Sequence, residues 1–322
     1  MNFSRLSPVL LLCSALIPGV AIAQNFPSKE ITFMIGSAAG SAPDLIARLV
    51  KPALEQILKQ TIIVENRVGA NGLIAVQAVS KANPDGHTLL AAPAGTFTVN
   101  PTLYAKTGGG TVVELEGVAP LAAVGLTLAV RPNLGATTCP ELIALLRKNP
   151  GKYSLASSAQ GSFTHLSAEM LKDKAKVDFL IVPFSGAPAG AAAVIGGHSD
   201  FIIESTATHS HIAVGRLLAL ATTSATRNPL APNLMTFREC GVPNYDLSGW
   251  IGIGAPKGTP AAVIQQLNRA IATAVEDPSS VEKLKAILWS PLTATPDQFQ
   301  RQIVREREEM RQIIQQIKLS IN

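Results

Sequence analysis

Short apolar runs closed by glycine or proline alternate along most of the chain with longer stretches of helical spacing. Residues 31–35 form the first such run and Gly36 closes it, which predicts a buried strand. From Leu45 onward the spacing changes to four. Leu45/Leu49/Ala53/Ile57 and Ile46/Val50/Leu54/Leu58 make two apolar rows of one helix, with Pro52 as a potential kink. Ser41 reads as the helix cap, Pro43 fits the first turn, and Asp44 stands three residues on, as in a capping box. The same grammar continues with a run at 61–64, a glycine-rich turn, a small-residue helix over about 73–82, the turn Pro84-Asp85-Gly86, and a run at 88–91. Strand, helix, strand, helix, strand predicts a parallel sheet with crossover helices.

A long apolar run at 118–130, with Pro120 and Gly125 inside it, reads as one strand that leaves a first lobe and enters a second. There the pattern repeats. Thr138 heads a helix with Pro140 and Glu141 in its first turn. Strands at 153–156, 177–182, 201–203 and 217–222 alternate with helices, two of them from Ser162 and Ala187. Residues 250–255 read as the strand that returns to the first lobe. The remainder is helical, with starts at Thr259-Pro260, Pro278 and Thr295-Pro296. The last helix carries Phe299, Ile303, Met310 and Ile314 on one face, and a solvated charged face from Arg301 to Arg311. The fold class is therefore α/β with two lobes, two crossing strands and a ligand cleft between the lobes. Residues 24–125 and 254–322 are expected to form lobe 1, and 126–253 lobe 2. Ligands of such sheets sit at the carboxyl ends of the strands.

Composition changes this picture mainly at the N-terminus. The 322 residues are 47% hydrophobic and 15% charged, as in a well-buried globular protein. Residues 1–23 stand apart: Arg5 is the lone charge, 9–17 is apolar, and Ala21-Ile22-Ala23 fits a small-x-small cleavage rule. This reads as a bacterial secretory signal peptide cut after Ala23, which places the mature protein in the periplasm. The run is too short to favour a membrane anchor, and Leu12 before Cys13 does not suit a lipobox. Cleavage would leave 26 basic against 22 acidic residues, +4. The basic residues are scattered rather than striped among aromatics, so no nucleic-acid partner is expected. Cys139 and Cys240 are the two mature cysteines; an exported compartment permits a bridge, and sequence leaves the pairing open.

The candidate chemistry lies in bland loops at strand ends. Gly40, Ser41 and Ala42, Gly95 and Thr96, Ser157, Gly161 and Ser162, and Ser185 and Gly186 offer main-chain amides, hydroxyls and little bulk. Several precede helix starts. Facing one cleft, they would hold one or two carboxylates by hydrogen bonds and helix dipoles. His165, in the first turn of a helix, is a candidate ligand contact or a turn-stabilising residue. Asp44 and Glu204 are candidate cleft acids, and helix capping is the competing role for Asp44. There is no G-x-S-x-G elbow, no H-E-x-x-H and no phosphate-binding G-x-x-x-x-G-K, so neither an enzyme nor a cofactor is expected. His209 and His211 have no third ligand near them and read as a surface loop rather than a metal site. Gly108-Gly109-Gly110 reads as a flexible loop.

A set of motifs then resembles the Bug family of periplasmic receptors, which serve tripartite tricarboxylate transporters. Val64-Glu65-Asn66-Arg67 with Gly69, Ala70 and Gly72 is similar to V-E-N-R-P-G-A-G-G, and Pro84-Asp85-Gly86-His87-Thr88-Leu89-Leu90 to P-D-G-Y-T-L-L. Asn100-Pro101 with Leu103-Tyr104, Val182-Pro183-Phe184 with Gly186, and Ala255-Pro256 with Gly258-Thr259-Pro260 match further motifs in order and spacing. The resemblance covers nearly all of the mature chain. It implies a type II-like periplasmic binding fold that closes about a hinge. It also implies small organic ligands, usually carboxylates, held largely by main-chain groups and bridging waters. In the first loop Gly40 and Asp44 match the family's P-P-G-G-x-x-D, while Ala38, Ala39 and Ser41 depart from it. In lobe 2, Ser157, Gly161, Ser162 and His165 match, with Thr164 in place of a serine. Where the family often has F-D-N, Glu204 and Ser205 hold the last two places, and a longer acid there would fill cleft volume or meet a cationic ligand group.

The function expected is a monomeric periplasmic solute receptor. It would capture a small carboxylate and deliver it to the membrane subunits of a tripartite transporter. The alternative is a sensor that reports occupancy to a membrane kinase. An exported enzyme using His165 with Asp44 or Glu204 lacks an activated nucleophile.

Overall fold

Two six-stranded sheets organise the computed structural model, which describes residues 26–107, 115–317 and 319–320. The expected signal peptide, Cys13 and the triple glycine lie outside the described residues. In chain order, the first sheet takes β1 (Ile31–Ile35), α1 (Ala42–Leu58), β2 (Ile62–Asn66), α2 (Leu73–Ser80), β3 (Thr88–Pro93), the short α3 (Ala94–Thr98) and α4 (Asn100–Leu103), and β4 (Leu115–Gly125). The second sheet follows with β5 (Thr127–Val130), α5 (Cys139–Lys148), β6 (Ser154–Ser157), α6 (Phe163–Ala175), β7 (Leu180–Pro183), α7 (Ala187–Ile195), β8 (Phe201–Glu204), α8 (Thr206–Ala213), β9 (Leu218–Thr222) and β10 (Met235–Thr236). Then β11 (Ser248–Pro256), α9 (Ala261–Glu276), α10 (Pro278–Ala286), β12 (Ser290–Pro291) and α11 (Pro296–Gln316) complete the first. The strand orders are β12-β4-β11-β3-β1-β2 and β10-β9-β5-β8-β6-β7.

Within each lobe the strands that feed the cleft run parallel. β1 pairs with β2 and β3, and β6 pairs with β7 and β8, so their carboxyl ends line up on one edge. Of the two apolar rows on α1, only Ile46, Val50, Leu54 and Leu58 are fully buried; Leu45 and Ile57 at the rim stay 38% and 39% exposed. The helix runs unbroken through Pro52. The capping box expected at its start does not form, because the Ser41 and Ser37 hydroxyls bond each other at 2.7 Å. Asp44 turns back to accept from the Gly40 amide (3.0 Å) and from Arg48 Nε (2.9 Å). The boxes at Thr138/Glu141 and Thr295/Gln298 do form. Thr259 donates instead to the Pro256 carbonyl and leaves α9 without a side-chain cap. Cys139 and Cys240 form a disulfide, with α-carbons 5.7 Å apart.

The long run expected as one strand breaks at Leu126, between β4 and β5, and this is the first crossing between lobes. The second runs through Leu247 into β11, where Ser248 pairs with Gly125. Thr223 fastens both. Its amide donates to the Leu126 carbonyl (2.9 Å), and its carbonyl accepts from the Leu247 amide (3.0 Å). Its hydroxyl accepts from the Leu126 amide (2.8 Å) and donates to the Leu247 carbonyl (2.6 Å). Thr223 is wholly buried, so these groups have no recourse to water.

A third connection is non-covalent. On α11, Phe299 and Ile303 pack in the first lobe, whereas Met310 and Ile314 belong to the core of the second. The helix counted with lobe 1 on sequence thus also completes lobe 2.

Replacing Thr223 by Val keeps the shape and removes the hydroxyl. The Leu126 amide and Leu247 carbonyl then lose that partner. The expected cost is about 1–3 kcal/mol, read from urea unfolding; a change within about 0.3 kcal/mol would show that this fastening contributes nothing to stability.

Candidate functional site

The parallel strands of both lobes end facing one another, and a cavity of about 330 Å³ lies between them. From lobe 1 its wall takes Ser37, Ala38 and Ser41 after β1, Gly69 to Gly72 after β2, and Pro93 to Thr96 after β3. From lobe 2 it takes Ser158, Ser162 and Thr164 after β6, Phe184 to Ala187 after β7, and Glu204 and Ser205 at the end of β8. Val124 and Leu126 contribute from the first crossing and Gly249 to Ile251 from β11.

The lobes touch around this space. Asn71 Nδ2 donates to the Gly161 carbonyl (3.2 Å) and the Tyr104 hydroxyl to the Gln160 carbonyl (2.7 Å). At Gly95, the first turn of α3 lies so close to α6 that an added β-carbon would sit 2.9 Å from Phe163 Cβ. On the other side, a β-carbon at Gly186 would stand 3.6 Å from Ala38 Cβ. This is a closed cleft.

Of the residues expected from sequence, Ser41, Ala42, Gly95, Thr96, Ser162, Ser185, Gly186 and Glu204 line the cavity together. Gly40, Asp44, Ser157, Gly161 and His165 stand behind the wall. Asp44 is 2% exposed and is consumed by the Gly40 amide and Arg48. Ser157 donates to the Ala159 carbonyl. His165 Nδ1 accepts from the Gly161 amide at 2.7 Å, so the imidazole ties its own loop, with Glu169 3.7 Å from Nε2. Gly161 has φ of +70°, which suits glycine, and meets lobe 1 through its carbonyl. Gly95 and Thr96 lie in α3 rather than in a loop. His209 and His211 sit on α8 rather than in a surface loop; among the described residues no group of three metal-ligating side chains forms.

Sequence reasoning missed the aromatic wall. Phe163, Phe184, Trp250 and Trp289 all border the cavity. Trp250 is held by its indole N–H, which donates to Glu306 Oε2 on α11 at 2.7 Å, and by the Phe97 and Phe299 rings at 5.5 and 5.0 Å. Burial raises the Glu306 carboxyl above its ordinary range. The placement of Trp250 on the returning strand, next to a crossing, was the available signal.

The charge pattern of the wall is unusual. Among its described residues Glu204 is the only ionisable side chain, and no lysine, arginine or histidine faces the space. Positive potential comes from helix starts instead: α1, α6 and α7 all begin at the wall, and opening-turn amides have no partners within their own helix. Ser37, Ser41, Ser158, Ser162 and Thr164 add hydroxyls already linked in short chains, such as Ser158 to Thr164 at 2.8 Å. Such a surface has the donors to hold an anion by hydrogen bonding without a salt bridge. Burial pushes the Glu204 carboxyl up to about 7, although the Ser205 amide at 3.0 Å partly offsets this.

The chain matches the family described as tripartite tricarboxylate transporter family receptor over residues 46–319. Protein BugT of Bordetella pertussis is 32% identical over 302 residues, 92% of this chain and 93% of its own. A solved R. palustris protein with adipate superposes with a TM-score of 0.88 at 28% identity, covering 92% of this chain and 99% of that one. The periplasmic binding protein BugD gives 0.84 at 28% identity, covering 92% and 99%. MatC from Rhodopseudomonas palustris, with bound malate, gives 0.82 at 26%, covering 90% of this chain and all of that one.

The raised Glu204 carboxyl makes stability depend on pH with a definite sign. Between the ordinary value of 4.5 and about 7 the folded protein holds a proton that the unfolded chain has released. Stability from this group therefore falls as pH rises through that window and levels off above it. The expected fall is on the order of 3 kcal/mol at most. Glu204→Gln should flatten that part of the pH–stability curve; an unchanged slope would refute the assignment.

Proposed function

Because the chain belongs to the tripartite tricarboxylate transporter receptor family, we propose that it is a periplasmic solute-binding protein. It captures a small organic acid between its lobes and presents the closed form to the membrane subunits of a tripartite transporter. The observation that carries this reading is the enclosed cavity of about 330 Å³, walled from both lobes by helix starts and hydroxyls. A carboxylate there accepts hydrogen bonds from both lobes at once. Its binding free energy is then spent partly on holding the lobes together, which couples occupancy to shape. The size suits a metabolite of a few carbons. Relatives solved with adipate and malate support an acid as ligand.

Closure requires the near-contact at Gly95. A methyl group there meets Phe163 and holds the lobes apart. The mature protein should gain about 5 °C in Tm with a cognate acid at 100 times its Kd. Gly95→Ala should bind that acid about tenfold more weakly, a loss of ~1.4 kcal/mol, and scatter as a more open particle in small-angle X-ray scattering. No stabilisation by any member of a panel of mono-, di- and tricarboxylates would overturn the receptor reading. Unchanged affinity in Gly95→Ala would overturn the closure mechanism.

A further inference from the structure

The cavity has two chemically different ends. In lobe 2 the sheet sets β8, β6 and β7 side by side with their carboxyl ends level. The ends of β6 and β7 lead into α6 and α7, and their loops supply Ser158, Ser162, Ser185 and Gly186. The end of β8 supplies Glu204, which pairs with Thr127 immediately after the first crossing. The hinge side of the cavity is thus acidic and the far side is made of amides and hydroxyls.

Glu204 is 6% exposed, lines the cavity, and is only half satisfied. Its Oε1 accepts from the Ser205 amide and hydroxyl at 3.0 and 3.5 Å. Oε2 has no hydrogen-bond partner among the described residues and is not fully enclosed, and it belongs to a side chain that lines the cavity. No basic side chain shares the wall to neutralise it. A buried carboxyl with an unmet oxygen demands a donor.

Building on the receptor reading, we infer that Glu204 sets specificity. It selects a monocarboxylate that carries a protonated amine at its other end, and it disfavours dicarboxylates. The carboxylate lies against the starts of α6 and α7, and the ammonium donates to Glu204 Oε2. Ionised Glu204 would face a second carboxylate at that end with like charge, so one of the two must take up a proton before a dicarboxylate binds. Two strand spacings separate the end of β8 from that of β7, about 10 Å, which a chain of four to six carbons bridges with its hydrogen bonds.

The test is isothermal titration at about pH 8.5, where Glu204 is ionised and an alkyl amine is still protonated, of the whole mature protein and of Glu204→Gln with 6-aminohexanoate, adipate and hexanoate, which have closely similar lengths. Gln keeps a carbonyl for the Ser205 amide and carries no charge. The wild type is expected to bind 6-aminohexanoate at least about tenfold more tightly than adipate. In Glu204→Gln that preference should fall by about tenfold or more, while hexanoate changes by less than about threefold. If the Gln variant fails to fold, Glu204→Asp, which draws the charge back by one methylene, should show the same fall in smaller measure. Preference for adipate in the wild type overturns the inference and leaves the receptor reading intact. So does an amine preference that survives in the variant. Binding of none of the three also overturns the inference, and the wider carboxylate panel then decides the receptor reading.

Discussion

The interior of a two-lobed protein is interrupted wherever the chain crosses between lobes, and each crossing carries backbone groups that must find partners away from water. Thr223 resolves this for both crossings at once. Its amide, carbonyl and hydroxyl meet Leu126 on one side and Leu247 on the other. The two segments are therefore tied to one another through a single residue. The cavity depends on that alignment. Val124 and Leu126 form part of its wall, and Glu204 pairs with the strand that leaves the joint.

The wall built around this joint offers an anion dipoles rather than counter-charges. A lysine in the cleft would need its own desolvation offset in the empty state. Helix starts and serine hydroxyls carry smaller fixed partial charges and lose less when water leaves. The carboxylate contributed by β8 is the exception, and its raised proton affinity follows from its burial. Shape is fixed by apolar contacts instead, with Trp250 oriented by Glu306 and two phenylalanine rings.

The alternation of short apolar runs with helical spacings made the α/β character and most element positions legible, because periodicity reports burial directly. The positions of small residues at strand ends likewise pointed at the wall: Ser41, Gly95, Ser162 and Gly186 all reach it. Local side-chain choices were not legible. Ser41 has a hydroxyl fit for capping, yet Ser37 is nearer and takes it. His165 read equally as a ligand contact or a turn-stabilising residue, and the structure shows the second, with the imidazole reaching back to Gly161. The long run at 118–130 has Gly125 inside it as punctuation, but the hydrogen bonding of Leu126 to Thr223, distant in sequence, was not legible. Aromatic wall residues were missed for a similar cause, since Trp289 and Phe184 are recruited from segments that show no cleft periodicity.

The C-terminal helix has one further consequence. Phe299 and Ile303 are seated in one core and Met310 and Ile314 in the other, with Arg307 between them donating to the Phe97 carbonyl at 3.1 Å. A rod fixed at both ends forbids a simple gape on its own flank, since pulling the lobes apart there would strip Met310 and Ile314 from their neighbours. The inexpensive motion is a rotation that leaves the rod in place. A cleft that parted in this way would do so on the edge away from α11.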